Sequence, residues 1–362
     1  MRLYELIVRS AESGLKMQNP DGSMPAGHNG PYSDPETPVR NTAHWLITFS
    51  KTHKITGEEK YLEAVKKAGD YLIADEQRPE YGAFFCRNNP EKDFSNGLIG
   101  QAWVFEALAE ASRSLKNSTY AEEAINVFYQ HEFDFKKGLW RILHVDGSIG
   151  EFDITLNHQI WFAASASELI EFDKKVAKKI KTFMNSFPRF AGIHSNGRIV
   201  HGIPFPVIFG NFRGFLKAVK RSVSMNSDQR FFEKDREIGY HAFNLYALAI
   251  LARHFPNHYI WKKHRVNNAL MYINSPEYLD NINESRFGFP YNPPGFECAY
   301  AIYTFRTRYK DWETSMNNWV WAQIENTYDV VSGAMNLKSP DINTSTARIY
   351  EAARLPDLEL GT

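Results

Sequence analysis

A chain of 362 residues that is 43% hydrophobic and 23% charged can build a sizeable core. Its 42 basic side chains are balanced by 42 acidic ones, which argues against a nucleic-acid partner, because proteins that grip a phosphate backbone carry a basic excess. No run of roughly 18 apolar residues occurs, so no membrane-spanning helix is expected, and two cysteines, Cys86 and Cys298, are too few for a disulfide framework.

At the start of the chain, Arg2, Glu5, Arg9 and Glu12 break up any apolar stretch, so no secretory h-region is expected and the cytoplasm is the expected compartment. The loop-like segment HNGPYSDPETPVR then leads into NTAHWLITFSKTH, an apolar helix pattern around Trp45. In EEKYLEAVKKAGDYLIAD, Tyr61, Ala64, Val65, Ala68, Tyr71 and Leu72 recur at helical spacing on an otherwise charged face. The same alternation follows. RNNPEKDFSNG precedes the apolar GLIGQAWVFEALAEAS, and STYAEEAINVFYQHEF is amphipathic again. HVDGSIGEFD precedes NHQIWFAASASELI, and EFDKKVAKKIKTFMNSF is its amphipathic neighbour.

Trp45, Trp103 and Trp161 follow one another at steps of 58 residues. FPVIFGNFRGFLKAVKRSV reads as a fourth, less regular copy of the apolar type. GYHAFNLYALAILARH, ECAYAIYTFRTRY (after the loop GFPYNPPGFE) and TSTARIYEAARL complete the series, with NHYIWKKHRVNNALMYI as a further amphipathic helix. Helices buried all round, alternating with helices buried on one stripe, are what an inner ring inside an outer ring requires. The expectation is an all-α chain forming one (α/α)6 toroid domain over residues 1–362, with the Gly-, Pro-, Asn- and Asp-rich segments as loops. An open α-solenoid and a toroid of the terpene-cyclase type are the alternatives. The absence of DxDD and DDxxD runs argues against the latter.

In a closed toroid the inner-helix N-termini share one cleft, whose free N–H groups and dipoles favour an anionic ligand. The polar residues at those starts are therefore the candidates: Arg40, Asn41 and His44; Asp93, Asn96 and Gln101; Asp153, Asn157 and His158; Tyr240, His241 and Asn244; Glu297 and Tyr300. Trp45, Trp103 and Trp161 supply rings for stacking on sugar faces, in a chain that is 14% aromatic. Asp153 has a simpler reading as a helix N-cap, but a cap does not explain why Asn157 and His158 follow it into a buried helix. His254, His258 and His264 read as solvated, and no metal or cofactor is expected.

The strip Asp153-Ile154-Thr155-Leu156-Asn157, followed by Ile160-Trp161-Phe162-Ala163-Ala164-Ser165, resembles the start of the catalytic helix in unsaturated glucuronyl and rhamnogalacturonyl hydrolases. The resemblance implies an (α/α)6 fold, Asp153 as general acid/base, and a second active-site aspartate about 60 residues earlier, where Asp93 stands. In that reading Asp153 protonates the C4=C5 enol ether of an unsaturated uronate, which calls for a raised carboxyl pKa beside Trp103 and Trp161. The chain departs from the family late on, where Gly239-Tyr240-His241-Ala242-Phe243-Asn244 stands in place of an Arg-Gly-x-x-Trp-like start; the nearest match, Gly100-Gln101-Ala102-Trp103, lies in the second hairpin.

Residues 96–111 are also similar to inner helices of sugar 2-epimerases, and the chain broadly resembles toroid proteins of bacterial polysaccharide-biosynthesis clusters. Asn157-His158-Gln159-Ile160-Trp161 is similar to the Asn-His-x-x-Trp start in alginate-type lyases, which would make His158 the proton carrier and Tyr240 or Tyr300 the acid. The leading expectation is a glycoside hydrolase acting on an anionic, uronic-acid-containing saccharide. A uronate lyase, a C5- or C2-epimerase and a non-catalytic saccharide-binding protein stand beside it.

Overall fold

The computed structural model describes residues 1–209 and 225–360. Its helices, in chain order, are α1 (Leu3–Met17), α2 (Val39–Thr56), α3 (Glu59–Ile73), α4 (Gly97–Leu115), α5 (Thr119–Gln130), α6 (Leu156–Ser167), α7 (Val176–Phe190) and the short α8 (Phe205–Phe209). There follow α9 (Ser227–Gly239), α10 (His241–His254), α11 (His264–Tyr272), α12 (Pro276–Ile282), α13 (Pro294–Thr304), α14 (Trp312–Thr327) and α15 (Ile342–Ala347), which runs into a 3₁₀ segment, Arg348–Arg354.

Packing runs α2–α4–α6–α10–α13, then to the Arg348–Arg354 segment, and back to α2. These six elements close an inner ring. Outside it, α1 lies against α2, α3 against α2 and α4, α5 against α4, α7 against α6, and α14 against α13. The fold is an all-α (α/α)6 toroid.

The burial of each helix follows its sequence pattern. In α3 only the Tyr61, Ala64, Val65, Ala68, Gly69 and Leu72 stripe is buried, whereas α10 is buried from His241 to Ala252. The tryptophan period marks inner helices because each ring needs a flat or small neighbour. Trp45 presses on Gly14 of α1, where any Cβ would sit 2.4 Å from the ring, and Trp161 stacks on Phe243 with centroids 4.6 Å apart.

One expectation needs correction, and another falls largely outside the described residues. In the ring α6 packs directly on α10, and residues 210–223 of the expected fourth copy lie outside the described residues. In addition, the segment before Asp153 is not a loop throughout. β1 (Phe133–Asp134), β2 (Leu139–Leu143) and β3 (Ile149–Phe152) form a three-stranded antiparallel sheet, and β3 delivers the chain to Asp153.

Candidate functional site

A cavity of about 260 Å³ opens where the inner helices begin, at the small end of ligand pockets. Its walls are aromatic: Trp103 from α4, Phe243 from α10, Tyr240 just before α10, and Tyr32 and Tyr291 from two loops. Its polar groups are mostly donors. Arg40, Arg87, Lys92, Arg236 and Arg348 line it, with Asn29, Asn96, Asn157, Asn292, Thr155, His158 and His201. Asp34 is the one carboxylate in the lining among the described residues.

Arg40, Arg348 and Arg87 are each held by carboxylates. The Arg40 side chain, 1% exposed, is paired with the buried Glu36 at 3.2 Å and lies flat over Trp103, 4.0 Å from the ring centroid. Its Nη1 also donates to Asn29 Oδ1, which accepts a second bond from the Tyr291 hydroxyl at 2.7 Å. Arg348 donates to Glu297 at 2.8 Å, to Glu351 and to Asn292 at 2.6 Å. Burial and the facing Glu351 push the Glu297 carboxyl well up, while Arg348 pulls it down. Arg87 is gripped by Asp93 at 2.6 Å, and Lys92 by Asp34 at 2.6 Å.

His158 is the exception in its helix. Every other residue of α6 is buried, but the His158 side chain is 25% exposed, and its Nδ1 lies 2.8 Å from Asp153 Oδ2. Burial pushes the Asp153 carboxyl up, but the charge and hydrogen bond of His158 and the N–H groups of Leu98 and Thr155 outweigh it and hold it below the ordinary aspartate value. An ionised carboxylate only accepts, so Nδ1 carries the proton and Nε2 is left for chemistry in the cavity. Asp153 is 5% exposed and lies behind His158. The raised pKa expected of a catalytic acid at Asp153 is replaced by a lowered one.

The backbone is shaped to permit this contact. Asn96 and Gly97 both adopt left-handed φ, 56° and 57°, and a Cβ at Gly97 would meet Asp153 Oδ2 at 2.5 Å. Asp93 accepts from the Gly97 N–H at 2.7 Å and Asp153 from the Leu98 N–H at 3.1 Å. Both aspartates therefore occupy the first turn of α4, where the dipole favours negative charge. Neither lines the cavity.

Tyr240 is largely buried, and its hydroxyl donates to the Tyr32 hydroxyl at 3.1 Å. Burial, with Tyr291 and Tyr32 alongside, holds the phenol well above its ordinary value, and burial pushes Tyr32 up to about 12. Both are neutral donors at physiological pH.

Of the residues singled out in the sequence, Arg40, Asn96, Trp103, Asn157, His158 and Tyr240 reach the cavity. The others do not, for specific reasons. Gln101 clamps the incoming loop, accepting from Phe84 N and donating to Phe84 O and Ser95 O; Gln159 holds Trp140 and Asp153 in the same way. Asn41 donates to Pro25 O, and Asn244 to Tyr240 O. His241 is fixed by Ala269 O and Ile199 N. His44 is buried and stacked on Tyr350 with centroids 4.2 Å apart. Trp45 and Trp161 are core, and Glu297 is spent on Arg348. Tyr300 faces a different cavity at the opposite end of the ring.

The lining residues not singled out came mostly from the segments read as loops. Asn29, Tyr32 and Asp34 precede α2, Arg87 and Lys92 precede α4, and Tyr291 and Asn292 precede α13. Long loops before buried helices were the available signal. His201 and Arg236 come from the span between α7 and α10, and Arg348 from the last inner element.

No family model matches the chain. Among solved structures, the cellobiose 2-epimerase of Bacillus thermoamylovorans B4167 superposes with a TM-score of 0.64 at 13% identity, covering 95% of each chain. A D-mannose isomerase gives 0.63 at 14%, covering 97% of this chain and 95% of its own. An unsaturated glucuronyl hydrolase specific for heparin gives 0.64 at 12%, with the same coverage. At such identities these three establish the shared six-hairpin toroid. Sequence similarity goes further in one case: archaeal glycosylation protein Q of Haloferax volcanii is 42% identical over 369 residues, spanning 99% of this chain and 98% of that protein. With the ring, its loops and nearly every residue within that alignment, the chain belongs to the family of archaeal glycosylation protein Q.

Proposed function

We propose that the protein is a carbohydrate-active enzyme of a glycosylation system, and that its cavity exchanges a proton at a sugar carbon beside a carboxylate or carbonyl, the step common to epimerisation and β-elimination. One observation carries this reading: the cavity presents a histidine aligned by a buried carboxylate, while its one carboxylate among the described residues, Asp34, is bound to Lys92 and Asn89. Hydrolysis in the usual manner needs two carboxyls flanking one bond, and the two candidates, Asp93 and Asp153, are engaged on α4. The relative's name places it in glycosylation, and toroids of this kind include epimerases and isomerases of sugars.

In this mechanism His158 Nε2 removes the proton from carbon. The electron pair moves onto the adjacent carboxylate or carbonyl, whose developing negative charge meets the Arg40 guanidinium. Tyr240, held neutral by its surroundings, is placed to donate. Reprotonation on the other face inverts the carbon; loss of the neighbouring oxygen substituent gives an unsaturated product. An anionic, uronic-acid-type sugar suits the donor-rich walls.

The test is incubation with uronic-acid oligosaccharides in deuterated water, read by mass spectrometry and ultraviolet absorbance. Deuterium uptake that disappears in His158→Gln supports the reading, and new unsaturation assigns elimination. Glycosidic cleavage without deuterium uptake, retained in His158→Gln, would sink it.

A further inference from the structure

The ring has a second mouth. Where the inner helices end, a separate cavity of about 470 Å³ opens, lined from α2, α4, α10, α13 and the last 3₁₀ segment. Cations at helix C-termini offset the dipole, and some of those here are paired as well. Lys54 and Arg113 sit on Glu110, Arg113 reaches Glu168 at 2.6 Å, and Arg354 joins Glu106 at 2.6 Å and Glu168 at 2.9 Å.

Two cations exceed this arrangement. Lys51 donates to the Tyr4 hydroxyl at 2.8 Å, and Arg253 is exposed in the last turn of α10; among the described residues neither is paired with a carboxylate. The deep wall adds polar atoms with no hydrogen-bond partner: Glu106 Oε2, the Tyr300 hydroxyl and Arg354 Nε. Glu106 is 2% exposed and Tyr300 fully buried. Burying such groups without partners is unfavourable. Burial pushes the Glu106 carboxyl up, while the charge and hydrogen bond of Arg354 pull it down. Glu106, Glu110 and Glu168 take up Lys54, Arg113 and Arg354, which leaves Lys51 and Arg253 as the surplus cations of the recess.

We infer that this second cavity is a binding site for a small oxyanion-bearing molecule, a phosphate or a carboxylate, with Lys51 and Arg253 at its mouth and Glu106, Tyr300 and Arg354 at its base. It lies at the other end of the ring from His158 and does not depend on the chemistry proposed there.

The test uses the full chain and three probes: inorganic phosphate, glucuronate and neutral glucose, followed by calorimetry and by melting temperature. Phosphate or glucuronate binds, glucose does not, and the preferred anion names the source. Both targeted side chains are at least partly exposed, so Lys51→Ala/Arg253→Ala folds, and it weakens the anion by roughly tenfold or more. His158→Gln binds it as the unaltered protein does. The inference fails if neither anion binds, if glucose binds as well as they do, or if affinity is unchanged in the double variant. It also fails if affinity is lost in His158→Gln.

Discussion

The two mouths of the ring handle charge in opposite ways. At the helix N-termini, most carboxylates stand behind the groups that face the cavity, Glu36 behind Arg40, Glu297 and Glu351 behind Arg348, Asp153 behind His158, and among the described residues only Asp34 shares the lining with its cation. At the C-termini, Glu106, Glu110 and Glu168 share the cavity wall with the cations they pair. The first arrangement orients donors rigidly toward a ligand, as a reacting site requires. The second stabilises helix ends and leaves only its surplus cations for a ligand. An ion pair is thus read by which partner faces the opening.

Substitutions can break or sharpen that contrast. The largest expected effect is on turnover: His158→Gln lowers proton exchange by about 10²–10⁴-fold, measured as deuterium uptake, with the melting temperature unchanged. Next is Glu36→Gln, which strands the buried Arg40 and lowers stability by about 3–5 kcal/mol in urea unfolding. The partly exposed Lys54–Glu110 pair at the other mouth gives about 0–1 kcal/mol when Lys54→Ala is measured alike; equal losses would erase the distinction. Gly97→Ala forces a strained φ and a clash with Asp153, costing about 1–3 kcal/mol, and reduces exchange by displacing His158.

The smallest effect is on pH dependence. The Asp153 carboxyl is held low in the folded state, so its stabilisation is complete above the ordinary aspartate range and is lost as the pH falls through the lowered value. Asp153→Asn therefore flattens the acid limb of the stability profile and slows exchange. An unchanged acid limb would mean that the carboxylate does not carry the charge assigned to it.

The ring was legible because inner and outer helices differ in how much of their surface is apolar, and Trp45, Trp103 and Trp161 mark successive inner helices. Their roles were not legible. Trp45 and Trp103 each lie six residues into their helices, yet only Trp103 borders the cavity. What separates them is the rotation of each helix about its axis, set by neighbours such as Gly14. Asp153 stood out in the sequence as a candidate acid, but its partner decides its role, and no spacing rule reveals that it lies behind His158. Gln101 and Gln159, also 58 residues apart, carried a signal of loop clamping that the tryptophans masked.

That the ring closes from α6 straight to α10 has a consequence for how such a protein can diversify. The described residues of the intervening span, 191–209 and 225–240, stand as a handle on a wheel, outside the circumference. They nevertheless bring His201, Arg236 and Tyr240 to the rim. Under the proposed function, variation confined to the handle would alter which ligands fit the rim while His158 and its carboxylate, on the ring, stay in place.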